Sequence, residues 1–381
     1  MKTPHLPAKR LAGFYFFYYA TVGAFLPFWA PYLAERGFTP AQMGLAFGLM
    51  GVTRSVMPLV WGWWADHSSS RVRLIRWASV LSFLVFIGIP FAPDIFWIGA
   101  LMVTYSLFWH ALLPQFEVVA LNHVSLSGAD YSRVRLWGSV GFVVAVLGLG
   151  PLLDHVGMLP LPWLVSIFWV GMVVLAWRVP DAIVATPDTH SRVSLWVVLR
   201  RPEVLTLLAV CLCSQLSFAP YYNFFTLFLE RHGYSRGFAG FLWAIGVIAE
   251  IGLFMVMGKI ILRFGVRRLM ILILVATTLR WLLTAVAVDS LTVLLLVQLS
   301  HALTFGAYHA VAMEYVQKVF PPSLQGRGQA VYNGVAYGVG GSVGALAAGF
   351  MWDGISPEAV FLGASLVAAL GTWIAWRRLP V

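Results

Sequence analysis

An all-α membrane protein, with twelve transmembrane helices in two pseudo-symmetric bundles of six, is the fold class this 381-residue chain predicts. Three observations point there. Hydrophobic residues make up 60% of the chain and charged residues only 10%, where a soluble domain carries about 25% charged residues. Apolar runs of about 20 residues, long enough to cross a bilayer as helices, recur along its whole length. Sliding the chain over itself by 196 positions superimposes Gly37 on Gly233, Phe38 on Tyr234, Gly44 on Gly240, Gly62 on Gly258, Gly138 on Gly334 and Gly148 on Gly344. A parallel repeat of this kind marks transporters built on an axis along the membrane normal.

Pro, Gly and charge punctuate the first six runs at 10–34, 40–64, 73–92, 95–122, 133–153 and 158–178. The second six fall at 203–229, 237–262, 267–288, 291–315, 325–352 and 357–377. Between them 179–202, with "PDAIVATPDTHSRVS", is polar by local standards, so 1–178 and 203–381 are expected as two bundles joined by a linker. The basic start, "MKTPHLPAKR", leads into a run too long for a signal peptide and reads as the first span. Most of the 25 Lys and Arg fall in connections on one side, and the other side holds only Arg36, Arg231 and Arg236. By the positive-inside rule both termini are cytoplasmic, the linker with them. Bases scattered over helix ends orient a membrane protein and do not bind nucleic acid. Cys211 and Cys213, two apart on a helix, point in different directions and imply neither a disulfide nor a metal site.

Ionisable groups inside a span are functional candidates because insertion is costly, about 2.5–3.5 kcal/mol for an Arg at the centre of a helix. Here they are Arg54, Glu117, Glu250 and Arg280, with Arg135 at a helix edge and His110, His301 and His309. The 196 offset sends Arg54 onto Glu250, which lies about 20 Å into its helix at 1.5 Å per residue. Two bases then share one acid, and the surplus positive charge suits a carboxylate held in bidentate fashion. A buried ion pair locking the halves together is the alternative, and it leaves one Arg without a partner. Glu117 and Arg135 read equally as a clamp within the first bundle or as a substrate or gating pair. His301, Phe305 and His309 recur at i, i+4 and i+8, so a neutral imidazole stands where it can relay a proton or simply bond a neighbouring helix. For His110 the bond to a neighbour is the simpler reading.

The run Gly340 to Gly344, "GGSVG", satisfies a hydrolase pattern, yet a nucleophile elbow needs a strand before its helix and this run is helical throughout. Close packing through small residues explains it. Metal-ligand spacing and phosphate loops are lacking, so the expectation is no enzyme and no cofactor.

Two loops carry a family resemblance: "GWWADHSSSRVR", with Gly62 and Asp66, and its echo "GKIILRFGVRR", with Gly258, Arg263 and Arg267. With the twelve runs and the repeat they resemble the major facilitator superfamily. Four further stretches, "RVRLWGSVGF", "GFLWAIGVIAE", "RW" at 280–281 and "SHALTFGAYHAVAM", are similar to the phenylpropionate permease group, related to the lactose and nucleoside proton symporters. Against the lactose permease pattern, Glu117 with Arg135 and Glu250 with Arg280 match its charged pairs, and His301 matches its histidine. Thr304 replaces its proton-releasing acid, Phe142 its sugar-stacking Trp and Leu253 an amide, which argues against a galactoside.

The resemblance implies a monomeric secondary transporter of the bacterial inner membrane, rocking around a midplane site and importing a small aromatic carboxylate with protons. Arg54 and Arg280 would meet the carboxylate, and Tyr18, Tyr222, Asn223, Trp243, Tyr332 and Asn333 would surround the substrate, with Tyr15 and Tyr337 at the same helical spacing. Proton coupling would fall to Glu250 with Glu117, Arg135, His301 and His309, and conformational change to the loop residues. A symporter for a neutral sugar or nucleoside, or an exporter of a small organic molecule, is the alternative.

Overall fold

A computed structural model describes residues 7–68, 70–127, 129–181 and 194–379. Among these residues eleven helices are long and apolar enough to span a membrane. A twelfth span, α1, is the pair Ala8–Phe25 and Trp29–Glu35, bent by 42° at its break. The others are α2 (Pro40–Asp66), α3 (Arg71–Phe86), α4 (Ile95–Ser127), α5 (Tyr131–Val156) and α6 (Leu161–Arg178), followed by α7 (Pro202–Arg231), α8 (Arg236–Phe264), α9 (Val266–Val286), α10 (Leu291–Val319), α11 (Pro322–Gly354) and α12 (Pro357–Arg378). Each expected run falls on one of these spans, although the first is the broken pair and the third leaves α-helical winding after Phe86. Several helices outlast their apolar run: α4 continues through Asn122, His123 and Ser127, since backbone pairing needs no apolar side chain once the helix leaves hydrocarbon. Of the linker expected at 179–202, residues 182–193 lie outside the described residues, as do residues 1–6.

The sequence repeat is also a repeat of backbone hydrogen bonds. After α1 the N–H of Phe38 donates to Leu33 O and that of Gly37 to Ala34 O; after α7 Tyr234 donates to Leu229 O and Gly233 to Glu230 O. These are two Schellman caps at the 196 offset. Gly37 and Gly233 hold φ of 83° and 80°, which a side chain would resist, so the paired glycines are required by the turn.

By packing, the chain forms two compact units. Unit one is Met1–Phe38, Val56–Thr186 and Ser235–Phe241, and unit two is Thr39–Ser55, Pro187–Tyr234 and Leu242–Val381. The opening turns of α2, with Arg54, therefore pack in unit two and those of α8 in unit one. Glycines allow it. A methyl on Gly44 would lie 2.7 Å from Ala345 O in unit two, and one on Gly240 would lie 2.3 Å from Val146 O in unit one. The two helix starts are capped alike, Ala41 N donating to Asp353 Oδ2, and Arg236 N and Gly237 N to the Asp154 carboxylate. The "GGSVG" run is wholly helical: Ser342 Oγ donates to Gly338 O, and a methyl on Gly344 would lie 2.5 Å from Leu216 O.

Among the described residues, two spans contain π-turns. A π-turn occupies Ala302–Ala307 of α10 and another Gly334–Gly340 of α11. Such turns insert a residue into the helical repeat and re-aim the side chains beyond it.

Candidate functional site

Unit two contains a string of ionisable groups. Arg280, only 2% exposed on α9, reaches α10 with one terminal nitrogen, which donates to His301 Nδ1 at 3.0 Å and Thr304 Oγ1 at 2.8 Å. Its other terminal nitrogen is 3.5 Å from Gln298 Oε1, which also accepts from Tyr221 OH at 3.1 Å. On the far edge of the imidazole, His301 Nε2 lies 3.8 Å from Glu250 Oε2. A guanidinium has donors only, so Nδ1 must be the accepting nitrogen and Nε2 carries the proton. The ring is thus held as one neutral tautomer, its N–H facing the Glu250 carboxylate. Glu250 and Arg280, expected as direct partners, are joined through His301.

The local backbone makes this possible. Glu250 fits against α10 because residue 306, inside the π-turn, is glycine: a methyl there would lie 2.8 Å from Glu250 Cγ. One turn earlier, a methyl on Gly246 would lie 3.3 Å from His301 Cβ. Aromatic rings enclose the charge. The Arg280 guanidinium sits 4.6 Å from the Tyr221 and Trp281 ring centres, a cation–π arrangement that offsets part of its desolvation. His301 stacks on Phe305 at 5.2 Å, and Tyr222 meets the Phe305 ring edge-on at 6.1 Å. Trp243 lies 6.3 Å from Tyr222 and donates its indole N–H to Thr226.

A second string runs beside it. Arg54, exposed in α2, stands 5.0 Å over the Tyr337 ring, and Tyr337 OH is 3.3 Å from His309 Nδ1. Tyr332 is buried and edge-on to Tyr337 at 5.8 Å. Asn223 bonds Ala219 O one turn back in its own helix, and Asn333 is exposed at the start of the α11 π-turn. Among the described residues, neither amide is hydrogen-bonded to the two strings.

Unit one contains the other charged pair. Glu117 Oε1 is 3.9 Å from Arg135 Nε, and Arg135 also donates to Tyr19 OH with its charge over the Tyr19 and Tyr15 rings. Tyr15 OH meets Tyr131 OH at 3.1 Å, and Tyr18 lies flat on Trp109 at 4.4 Å. In the loop residues, Asp66 pairs with Arg71, which also donates to Gln115 at 2.5 Å. Gly62 is loosely packed and Gly258 has open space where a side chain would go. Arg263 lies over Phe264, and Arg267 donates to Trp376 O in the last turn of α12 and to Leu379 O, its C-cap. Among the described residues no group of His, Cys, Asp or Glu could hold a metal.

Sequence reasoning missed Gln298, Tyr221, Tyr19 and Tyr131, which hold the two Arg residues and their neighbours in place. Gln298 carried a signal, being an amide in the span "TVLLLVQLSHALTF" one turn before His301. Tyr19 and Tyr221 carried none, because each stands beside another Tyr, Tyr18 and Tyr222, and Tyr131 lies at the start of its helix, outside the apolar run.

The MFS_1 like family model matches residues 8–363. A probable 3-phenylpropionic acid transporter of Escherichia coli (strain K12) is 30% identical over 380 residues, covering 98% of each chain. A maltose permease of Geobacillus stearothermophilus is 28% identical over 95% of this chain and 92% of its own. Among solved structures, a variant of the nucleoside transporter NupG aligns with a TM-score of 0.85 at 16% identity, over 98% of this chain and 100% of its own. That last similarity is one of fold.

Proposed function

This chain belongs to the MFS_1 like family, and from that premise we propose that it imports a small aromatic carboxylate, of the phenylpropionate kind, together with protons. It is a multi-pass membrane transporter and not an enzyme. The observation that carries the finer reading is the string Glu250, His301, Arg280, with its tautomer set by the Arg280 bond. With Glu250 ionised, the acid balances the buried guanidinium through the ring. Protonating Glu250 removes that balance and leaves a positive charge among aromatic rings. A substrate carboxylate restores neutrality, and bidentate Arg geometry suits it. Proton and carboxylate therefore enter together, and each raises the affinity for the other by the same factor. Arg54, exposed over Tyr337, meets the anion first, while Tyr222, Trp243 and Phe305 offer aromatic contact to its ring. The 30% identity to a phenylpropionic acid transporter supports the same substrate class.

In this reading Glu117 and Arg135 form the matching polar cluster of the first bundle, His309 tunes Tyr337, and the two six-helix halves, 1–178 and 203–381, alternate access. The protein works as a monomer in the bacterial cytoplasmic membrane with both termini inside. Glu250→Gln tests the proposal. It should bind and exchange substrate yet lose pH-driven accumulation in vesicles, and full accumulation by that variant would sink the coupling role. A second reading, symport of a neutral sugar or nucleoside, is favoured by the three internal acceptors that Arg280 already has. Arg280→Gln separates the two, since only the acid reading loses affinity for a carboxylate while sparing neutral ligands.

A further inference from the structure

Unit one contains a groove unrelated to the charged strings. It measures about 490 Å³, within the range of ligand pockets. Its walls are Trp61 and Trp64 of α2, Phe108 of α4 and one face of α3, where Arg73, Trp77 and Leu81 recur at i, i+4 and i+8. Those eight residues of rise give it a length of about 12 Å. Trp64 and Trp77 are 51% and 53% exposed, so the groove opens outward from the helices. Among the described residues, charge sits only at one end. There α3 begins, with Arg71, Arg73 and Arg76 in its first two turns and no acid in the first. Bases at a helix N-terminus oppose the macrodipole, so this end is doubly positive. Two of the three have inward partners: Arg71 has Asp66 and Gln115, and Arg76 donates to Ala176 O and Val179 O at the end of α6. The nearby Asp181 accepts from Ser70. The Arg73 guanidinium has no partner among the described residues.

We propose that this groove binds an anionic phospholipid, its phosphate on Arg73 and one acyl chain along Trp77 toward Leu81. An elongated apolar slot with Arg73 at its mouth, a cation without a partner among the described residues, is the complement of an amphiphile. A small anion has no use for the slot, and a neutral hydrocarbon has none for the Arg. The indoles fit the same site, since Trp favours the level of lipid headgroups. The basic end of the bundle is also the side to which anionic lipid is drawn.

The test is native mass spectrometry of the full chain in detergent, offered phosphatidylglycerol, phosphatidylcholine or inorganic phosphate. Wild type should retain phosphatidylglycerol about fivefold better than phosphatidylcholine, the effect of one base near an anionic surface. Arg73→Gln should erase that preference, and Leu81→Trp, which fills the apolar end, should reduce retention of both lipids. Arg231→Gln, on another helix end, should behave as wild type. Should Leu81→Trp fail to fold, phosphatidylglycerols of increasing chain length on the wild type replace it, with affinity rising with length. The proposal is overturned if Arg73→Gln keeps the wild-type preference, if chain length has no effect, or if inorganic phosphate binds as well as the lipid.

Discussion

Gly306 offers the sharpest way to move Glu250 without changing its charge. In Gly306→Ala the new methyl would start 2.8 Å from Glu250 Cγ, and ordinary contact needs 3.4 Å, so the stem must give by about 0.6 Å. The Cδ and Cβ atoms are at 3.6 and 3.8 Å and block a simple slide, which leaves rotation about the side-chain bonds. Rotation swings the carboxylate away from His301, where 3.8 Å is already close to the outer reach of an ion pair. Overpacking of this kind costs about 1–3 kcal/mol, and replacing a helical Gly returns up to about 1 kcal/mol, so the fold should survive. Function should suffer more: misplacing a reacting group by about 1 Å can cost 100-fold in rate, and a fall of at least tenfold in proton-driven accumulation is expected here. The assay is uptake of labelled 3-phenylpropionate into vesicles with an imposed pH gradient, set against counterflow at equal pH. Counterflow should stay within about threefold of wild type. Gly246→Ala, whose methyl would begin 3.3 Å from His301 Cβ, should show a weaker form of the same defect, and Gly252→Ala, in open space, none. Wild-type accumulation in Gly306→Ala, or equal defects in all three, would refute the reasoning.

Other consequences are open to direct measurement. Arg54→Gln should raise the Kd for an aromatic acid at least tenfold by titration calorimetry, and at high salt the difference should narrow because an exposed charge is screened. Asp154→Ala and Asp353→Ala each remove the acceptor that caps a helix start, and each should cost about 1 kcal/mol in thermal unfolding. Arg267→Ala frees the Trp376 and Leu379 carbonyls at the end of α12 and should speed proteolysis at the C-terminus. The Asp130 carboxyl, bonded by the Ser132 hydroxyl and N–H, is held below its ordinary value of 3.8. A depressed acid stabilises the fold above its unfolded value and loses that contribution as pH falls through the folded one. Melting of wild type and Asp130→Asn should therefore diverge above about pH 3.8 and converge below it.

The twelve spans were legible because lipid demands long apolar runs, and that demand is written in composition. The doubling was legible because Gly37 and Gly233 serve one backbone purpose twice. Side-chain partnerships were less so. Arg280 and Glu250 were visible as costly charges, yet their junction depends on His301 standing between them. That position depends on the α10 π-turn, and nothing in "ALTFGA" distinguishes a π-turn from a plain helix. The placement of Arg54 with Tyr337 follows from the α2 glycines, which let the first turns of that helix approach α11 closely. Glycine spacing marks a close approach but does not say which helix is approached.

The locked ring of His301 bears on leakage. A histidine passes a proton onward only if one nitrogen receives it while the other lets one go. As long as Arg280 occupies Nδ1, that lone pair is taken and the ring is an insulator. Drawing Arg280 toward a substrate carboxylate would uncover Nδ1 and turn the insulator into a conductor. In the proposed cycle, cargo thereby acts as the key to the proton wire, and an empty carrier does not short-circuit the gradient that drives it.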